Sequence, residues 1–209
     1  MNLRMSALPI LALFLGISCR KTPDLGQLSS NFVVVTNTDS AAIFSDYSTY
    51  YVSDTIAYVA SDSQDTILVG SSAQQIVAVV KQNMTARGYT FVPKAAHPDL
   101  GINLGIVKNT NVGVVYPGWW WGYPGWWDPW YWGWDYPYYY PWSYTYVVTT
   151  GSIILDLVDL KDASEEHKET VIWTAFMGGA VGDDVNSNLQ RGINAINQSF
   201  TQSPMVKAN

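Results

Sequence analysis

Charge and thiol chemistry are what this 209-residue chain has least of. Charged residues make up 13%, with 11 Lys and Arg against 17 Asp and Glu, and the formal net charge is −6. An acidic chain without a basic stripe is a poor match for nucleic acid or for anionic lipid headgroups. A single cysteine excludes an internal disulfide. With only two histidines beside it, no His/Cys cluster reaches zinc spacing. His97, ahead of Pro98, and His167, in a charged connection, belong to no nucleophile–base pattern and read as solvated loop residues. No glycine-rich phosphate loop with its lysine is present. Asp128 and Asp135 lack the ligand pattern of a calcium loop. Asp183 and Asp184 read as helix-capping carboxylates, and Asp156 and Asp159 as a solvated strand edge. The expectation is a protein with no catalysis, no cofactor and no metal.

What is present begins with a leader. Arg4 precedes an apolar run from Ala7 to Ile17, the length of a signal-peptide core and too short to span a bilayer. Residues 1–18 are expected to be a signal peptide, 19–30 a lipidated cysteine and short polar tether, and 31–205 the folded domain. Leu15-Gly16-Ile17-Ser18-Cys19 resembles the lipobox of bacterial lipoproteins, with Gly16 where leucine is common. The resemblance implies that Cys19 is diacylated and becomes the new N-terminus. At about 0.8 kcal/mol per buried methylene, two or three acyl chains would hold the protein on a membrane nearly permanently. Arg20 and Lys21 follow the cysteine in place of an acidic run. The expected location is the cell envelope, anchored to the outer membrane and facing the periplasm.

The dominant feature is residues 116–146, YPGWWWGYPGWWDPWYWGWDYPYYYPWSYTY, which hold nine of the ten tryptophans. Five prolines, at 117, 124, 129, 137 and 141, forbid a continuous helix and deny a central strand its hydrogen bonds. This stretch is expected to be a long aromatic loop that contributes little to regular structure.

The flanking sequence carries the periodicities of a small domain. Phe32–Thr36, Phe44–Ser53 and Leu100–Val107 read as strands, and Thr145–Leu160 as one long strand. Thr170–Phe176 is the last, with Val171, Trp173 and Ala175 on one face. After an N-cap at Ser71–Ser72, Ala73, Ile76, Val77, Val80 and Met84 mark one face of a helix that Gly88 stops. Val185, Leu189, Ile193, Ile196 and Phe200 mark a second. The expected fold class is α+β: one largely antiparallel sheet of about five strands, with two amphipathic helices packed on one face and the aromatic Pro/Gly-rich loop added. Ile76, Val80, Leu189, Ile193 and Trp173 are the expected core.

In order and spacing, several short pieces resemble the DUF4136 group of bacterial envelope lipoproteins. They are Phe44-Ser45-Asp46-Tyr47-Ser48-Thr49-Tyr50, Arg87-Gly88-Tyr89, Pro98-Asp99-Leu100, Gly151-Ser152-Ile153-Ile154-Leu155-Asp156 and Val171-Ile172-Trp173, with Phe200 and Pro204 closing the last helix. The resemblance implies a small α/β domain on a lipid anchor, often with a Gly- and aromatic-rich insert where residues 116–146 lie. It implies no activity.

Function therefore falls to the aromatic loop. Trp119, Trp120, Trp121, Trp126, Trp127, Trp130, Trp132, Trp134 and Trp142 are the candidate contacts. Indoles settle at headgroup depth, serve as protein hot spots, and stack on sugar faces. The expectation is a lipid-anchored envelope protein of binding or structural type, its loop touching the membrane interface or a protein partner. The alternative is a glycan-binding module for cell-wall or surface polysaccharide. A low-complexity segment collapsed on itself, with no single partner, competes with both.

Overall fold

The computed structural model describes residues 32–59, 66–108, 114–115, 117–118, 120, 126–127, 129–143, 145–147, 151–181 and 188–209. The leader, Cys19, the tether, the loop 61–65, Trp119, Trp121, Asp128, Asp183, Asp184 and Val185 lie outside them.

Among the described residues, eleven strands and three helices follow one another along the chain. They are β1 (Val33–Thr38), β2 (Thr49–Val52), β3 (Ile56–Val59), β4 (Ile67–Leu68), α1 (Ser71–Ala86), β5 (Thr90–Phe91) and β6 (Leu100–Val107). Then come β7 (Val114–Val115), β8 (Tyr138–Tyr139), β9 (Tyr146–Val147), β10 (Ile153–Asp159), α2 (Ala163–Glu166), β11 (Glu169–Gly178) and α3 (Leu189–Gln202). Nine strands form one sheet of order β1-β11-β10-β6-β2-β5, with β3 also on β6, β4 on β3 and β8 on β11. The core β1-β11-β10-β6 is antiparallel.

This sheet is larger and more mixed than the five-stranded, largely antiparallel one expected. The residues after Phe44 do not make one strand: a single 3-10 turn (Phe44–Asp46) precedes β2, and Ser53–Thr55 separates β2 from β3. Both strands run parallel to β6, β2 along its first half and β3 along its second. Parallel neighbours need a long crossover connection, and here it runs from β3 through the antiparallel β4, then α1 and β5, before β6 begins. The expected long strand 145–160 is also broken. Gly151, at φ +77, turns the chain between β9 and β10.

One face of the sheet carries the two helices. Ile102, Leu104 and Ile106 of β6, Leu155 and Leu157 of β10, and Trp173, Ala175 and Met177 of β11 pack against Ile76, Val80 and Met84 of α1 and Ile196 and Phe200 of α3. Trp173 is fully buried, and its indole N–H donates to Ser203 Oγ at 2.9 Å. Two expectations fail here. Leu189 and Ile193 are only half-buried, because α3 turns Gly192, Ala195, Ile196, Ser199 and Phe200 inward. Gly192 is small enough to lie against Val181 and Ile153. Val171 faces away from Trp173, because a bulge opposite Leu157 and Val158 inserts Ile172 and flips the alternation. The last residues belong to the core as well: Val206 is buried, and the Ala208 amide donates to the Arg87 carbonyl at 2.9 Å.

The opposite face is covered by the aromatic segment. β7 and β9 pair antiparallel at its two ends, so the segment leaves and re-enters through a two-stranded stem. Between them Trp120, Trp126, Trp132 and Tyr138 are buried against the sheet. The loop expected to add little to regular structure supplies β8 and the second layer of the fold. Proline breaks helices and ladders, but it does not prevent a chain from packing side chains onto a sheet laid down by others.

Candidate functional site

The aromatic layer is built on alternate residues of β6. Gly101, Asn103, Gly105 and Val107 face it, and the glycines leave room for rings. The Asn103 amide accepts from Trp132 Nε1 at 3.1 Å and donates to the Tyr138 hydroxyl at 3.0 Å. Trp127 Nε1 donates at 3.1 Å to the Leu104 carbonyl, which lies along β6 between the stretches paired with β2 and β3. Rings then pack on rings: Trp120 meets Trp126 and Tyr140 edge-on at 5.9 and 5.8 Å.

Carboxylates expected on a solvated edge are buried instead. Asp156 points into the aromatic layer, where Thr174 Oγ1 and the Tyr140 hydroxyl donate to it. Burial pushes its carboxyl up from 3.8 to about 6, with Thr174, Tyr140 and Trp120 partly opposing. Asp159, on the other face, accepts from the Tyr47 hydroxyl at 2.9 Å and from the Lys161 amide at 2.9 Å. Burial raises it too. Burial, reinforced by the charge of Glu169, holds Tyr138 well above the usual tyrosine range.

Of the nine candidate tryptophans, Trp120, Trp126 and Trp132 are turned inward and Trp127 and Trp142 are half-buried. Trp130 and Trp134 remain at the surface, 66% and 36% exposed. Trp134 lies beside a cleft of about 300 Å³ lined by Lys94, His97, Pro98, Asp99, Trp132, Trp134, Leu160, Lys161 and Ser164. Lys94 and His97 come from the 3-10 turn that leads into β6, and Lys161 and Ser164 from the connection after β10. His97 is exposed in the left-handed region, at φ +52. His167 is exposed as well and rests on Tyr136 at 5.3 Å.

Sequence reasoning missed the cleft. Its polar residues lie in two connections more than sixty residues apart, and only the antiparallel pairing of β6 with β10 brings them together. Among the described residues, no cluster of His, Cys, Asp and Glu is arranged to hold a metal ion, and no helix is long and apolar enough to cross a membrane.

The family described as "Domain of unknown function (DUF4136)" matches residues 34–205. The chain belongs to the DUF4136 family. A crystal structure of a DUF4136 family protein from Bacteroides thetaiotaomicron is similar at 39% identity, covering 86% of this chain and 99% of that one with a TM-score of 0.73. The PelC dodecamer from Paraburkholderia phytofirmans is similar at 12% identity, covering 85% of this chain and 99% of that one with a TM-score of 0.41. No curated protein matches. In this DUF4136 domain the matched span takes in both layers on the sheet: the two long helices and the aromatic cover.

Proposed function

We propose that this DUF4136 protein is a non-catalytic binding protein of the cell envelope, lipid-anchored through Cys19, and that it binds in the cleft beside Trp134. One observation carries the reading. The aromatic segment turns most of its described rings onto the sheet and leaves, at one end, an open cleft where an indole and cationic groups converge. The packed rings around that end favour a preformed site, which lowers the entropy lost on binding. Asp156 and Asp159 are engaged by hydroxyls and a backbone amide and do not line the cleft, which supports binding over chemistry. The membrane is the partner of the anchor. Contact of the rings themselves with a membrane or a protein falls to Trp130 and Trp134.

The test uses the full chain in detergent and its indole N–H spectrum. Oligosaccharides released from the envelope of the producing cells should shift the Trp134 signal and leave Trp120 and Trp126 unmoved. An unchanged Trp134 signal overturns the binding site. Separately, Cys19→Ala should leave the precursor uncleaved and unlabelled by fatty acid. Normal labelling of that variant overturns the anchor.

A further inference from the structure

We propose that the cleft takes an acidic sugar: a hexuronate unit whose ring lies against Trp134 and whose carboxylate meets Lys94 and Lys161. The inference rests on the cleft being the binding surface, and it adds the chemical class of the ligand.

In a chain of net charge −6, two ammonium groups and an imidazole converge on one cleft. The acidic residue in the lining is Asp99, and its carboxylate already has work. Oδ2 accepts from the amides of Ser48 and Thr49 at 2.8 and 2.9 Å, tying the start of β2 to the start of β6. Neither lysine is spent on a carboxylate, since among the described residues the ion pair is Lys168 with Glu166. Lys94 Nζ stands 3.8 Å from the centre of the Tyr131 ring, which positions the cation without neutralising it. Lys161 Nζ donates to the Asp46 carbonyl at 2.9 Å, which leaves other ammonium hydrogens to meet a ligand. Asp46, Asp159 and Asp162 lie around Tyr47, over whose ring Lys161 Nζ stands at 5.8 Å, so what the cleft offers an anion is two ammonium groups as hydrogen-bond donors and not a broad positive field.

The shape narrows the class. About 300 Å³ is the low end of small-molecule sites, the scale of a sugar unit. Trp134 supplies a flat apolar wall, and the C–H face of a pyranose ring fits flat against an indole. The Ser164 hydroxyl lines the same space and can exchange hydrogen bonds with a sugar hydroxyl. A bare phosphate or sulfate would meet the ammonium groups and leave the indole unused. A neutral sugar would use the indole and leave both ammonium groups without a counter-charge. A hexuronate uses both, with charge-assisted hydrogen bonds to the lysines.

The experiment is titration calorimetry on the full chain in detergent, with digalacturonate and galactobiose as an acidic and a neutral probe. Digalacturonate should bind about tenfold or more tighter than galactobiose, the scale of one charge-assisted hydrogen bond, and should weaken as salt is added. Lys94→Gln with Lys161→Gln should erase that advantage and leave galactobiose unchanged, while Trp134→Ala should weaken both. Circular dichroism checks that each variant is folded; these side chains lie at the surface of the cleft. Equal binding of the two sugars, or full digalacturonate affinity in the lysine variant, overturns the acidic-sugar inference and leaves the cleft as a binding site. A Trp134 signal moved by envelope oligosaccharides but not by digalacturonate has the same consequence. A Trp134 signal moved by no sugar overturns both readings.

Discussion

Gly105 of β6 lies directly beneath the indole of Trp126: a Cβ placed there would stand 2.4 Å from the ring's Cζ3. Gly101, four residues earlier on the same face, stands in the same relation to Trp132, at 2.7 Å. Asn103 sits between them and holds Trp132 and Tyr138 by its amide. The face of the strand is cut to receive rings, so the strand and the aromatic segment form one packing unit.

Gly105→Ala should therefore destabilise by about 1–3 kcal/mol, the usual range for an overpacked core. The backbone there is extended, so the effect would come from the ring and not from a forbidden φ. A second change, Trp126→Phe, removes the ring atoms in the way and should recover part of the loss in a double-mutant cycle. Denaturant unfolding measures both. An alanine variant as stable as the wild type would show that Trp126 does not pack on this strand.

Replacing Pro117–Trp142 with a short Gly/Ser linker should unfold the domain or leave it loosely packed with exposed apolar surface. The change strips Trp120, Trp126, Trp132 and Tyr138 from a sheet face that also carries Ile154, Phe176, Val158 and Val171. At about 25 cal/mol per Å² of apolar surface, the loss of that cover is large against a typical stability of about 5–15 kcal/mol. Loss of the cooperative near-ultraviolet melting transition is the expected readout. A sharp transition near the wild-type temperature would return the segment to the status of a dispensable loop.

That contrast shows what the sequence made legible. The helix faces were readable because Ile76, Val80 and Met84 recur at 3.6-residue spacing, and β6 because its apolar residues alternate. Both are local periodicities. The aromatic layer has no period, and its composition says only that it avoids water. A further signal was present in Gly101-x-Asn103-x-Gly105. A strand face made of two glycines and an amide cannot fill space by itself, so it calls for large partners from elsewhere in the chain. The bulge at Ile172 and the crossover that sets β2 and β3 parallel to β6 are long-range outcomes without a local mark. For the same reason Lys94 and Lys161 gave no hint of meeting at one cleft.

The two ends of α3 should respond unequally to truncation. Phe200 is fully buried and packs tilted against Trp173, with ring centres 5.1 Å apart, so Phe200→Ala should cost about 3–5 kcal/mol. Leu189 is only partly buried at the first turn, and Leu189→Ala should fall below the roughly 2–5 kcal/mol of a core leucine. Urea midpoints at matched slopes measure the difference. Equal losses would mean that the first turn of α3 is packed as tightly as the last.

Asp156 makes the stability of the domain depend on pH. Its carboxyl is raised from 3.8 to about 6, chiefly by burial between β10 and the aromatic layer. The folded state therefore holds this proton more tightly than the unfolded chain does. A raised carboxyl contributes stability that is fully present below the unfolded value, and that is lost as pH rises through the folded value. Between about pH 4 and about pH 7 the loss through this group is on the order of 3 kcal/mol, at about 1.4 kcal/mol for each pKa unit. Asp159 is raised by burial too and works in the same direction, so the informative quantity is the difference between the wild type and Asp156→Asn. The amide keeps an acceptor for Thr174 Oγ1 and offers a donor to the Tyr140 hydroxyl oxygen, without a charge to bury. Unfolding free energies across that range should fall less steeply in the variant, and at neutral pH the variant should be at least as stable as the wild type. Parallel pH profiles would show that Asp156 is charged at no cost in the folded protein, and that the Thr174, Tyr140 and Trp120 hydrogen bonds fully offset its burial.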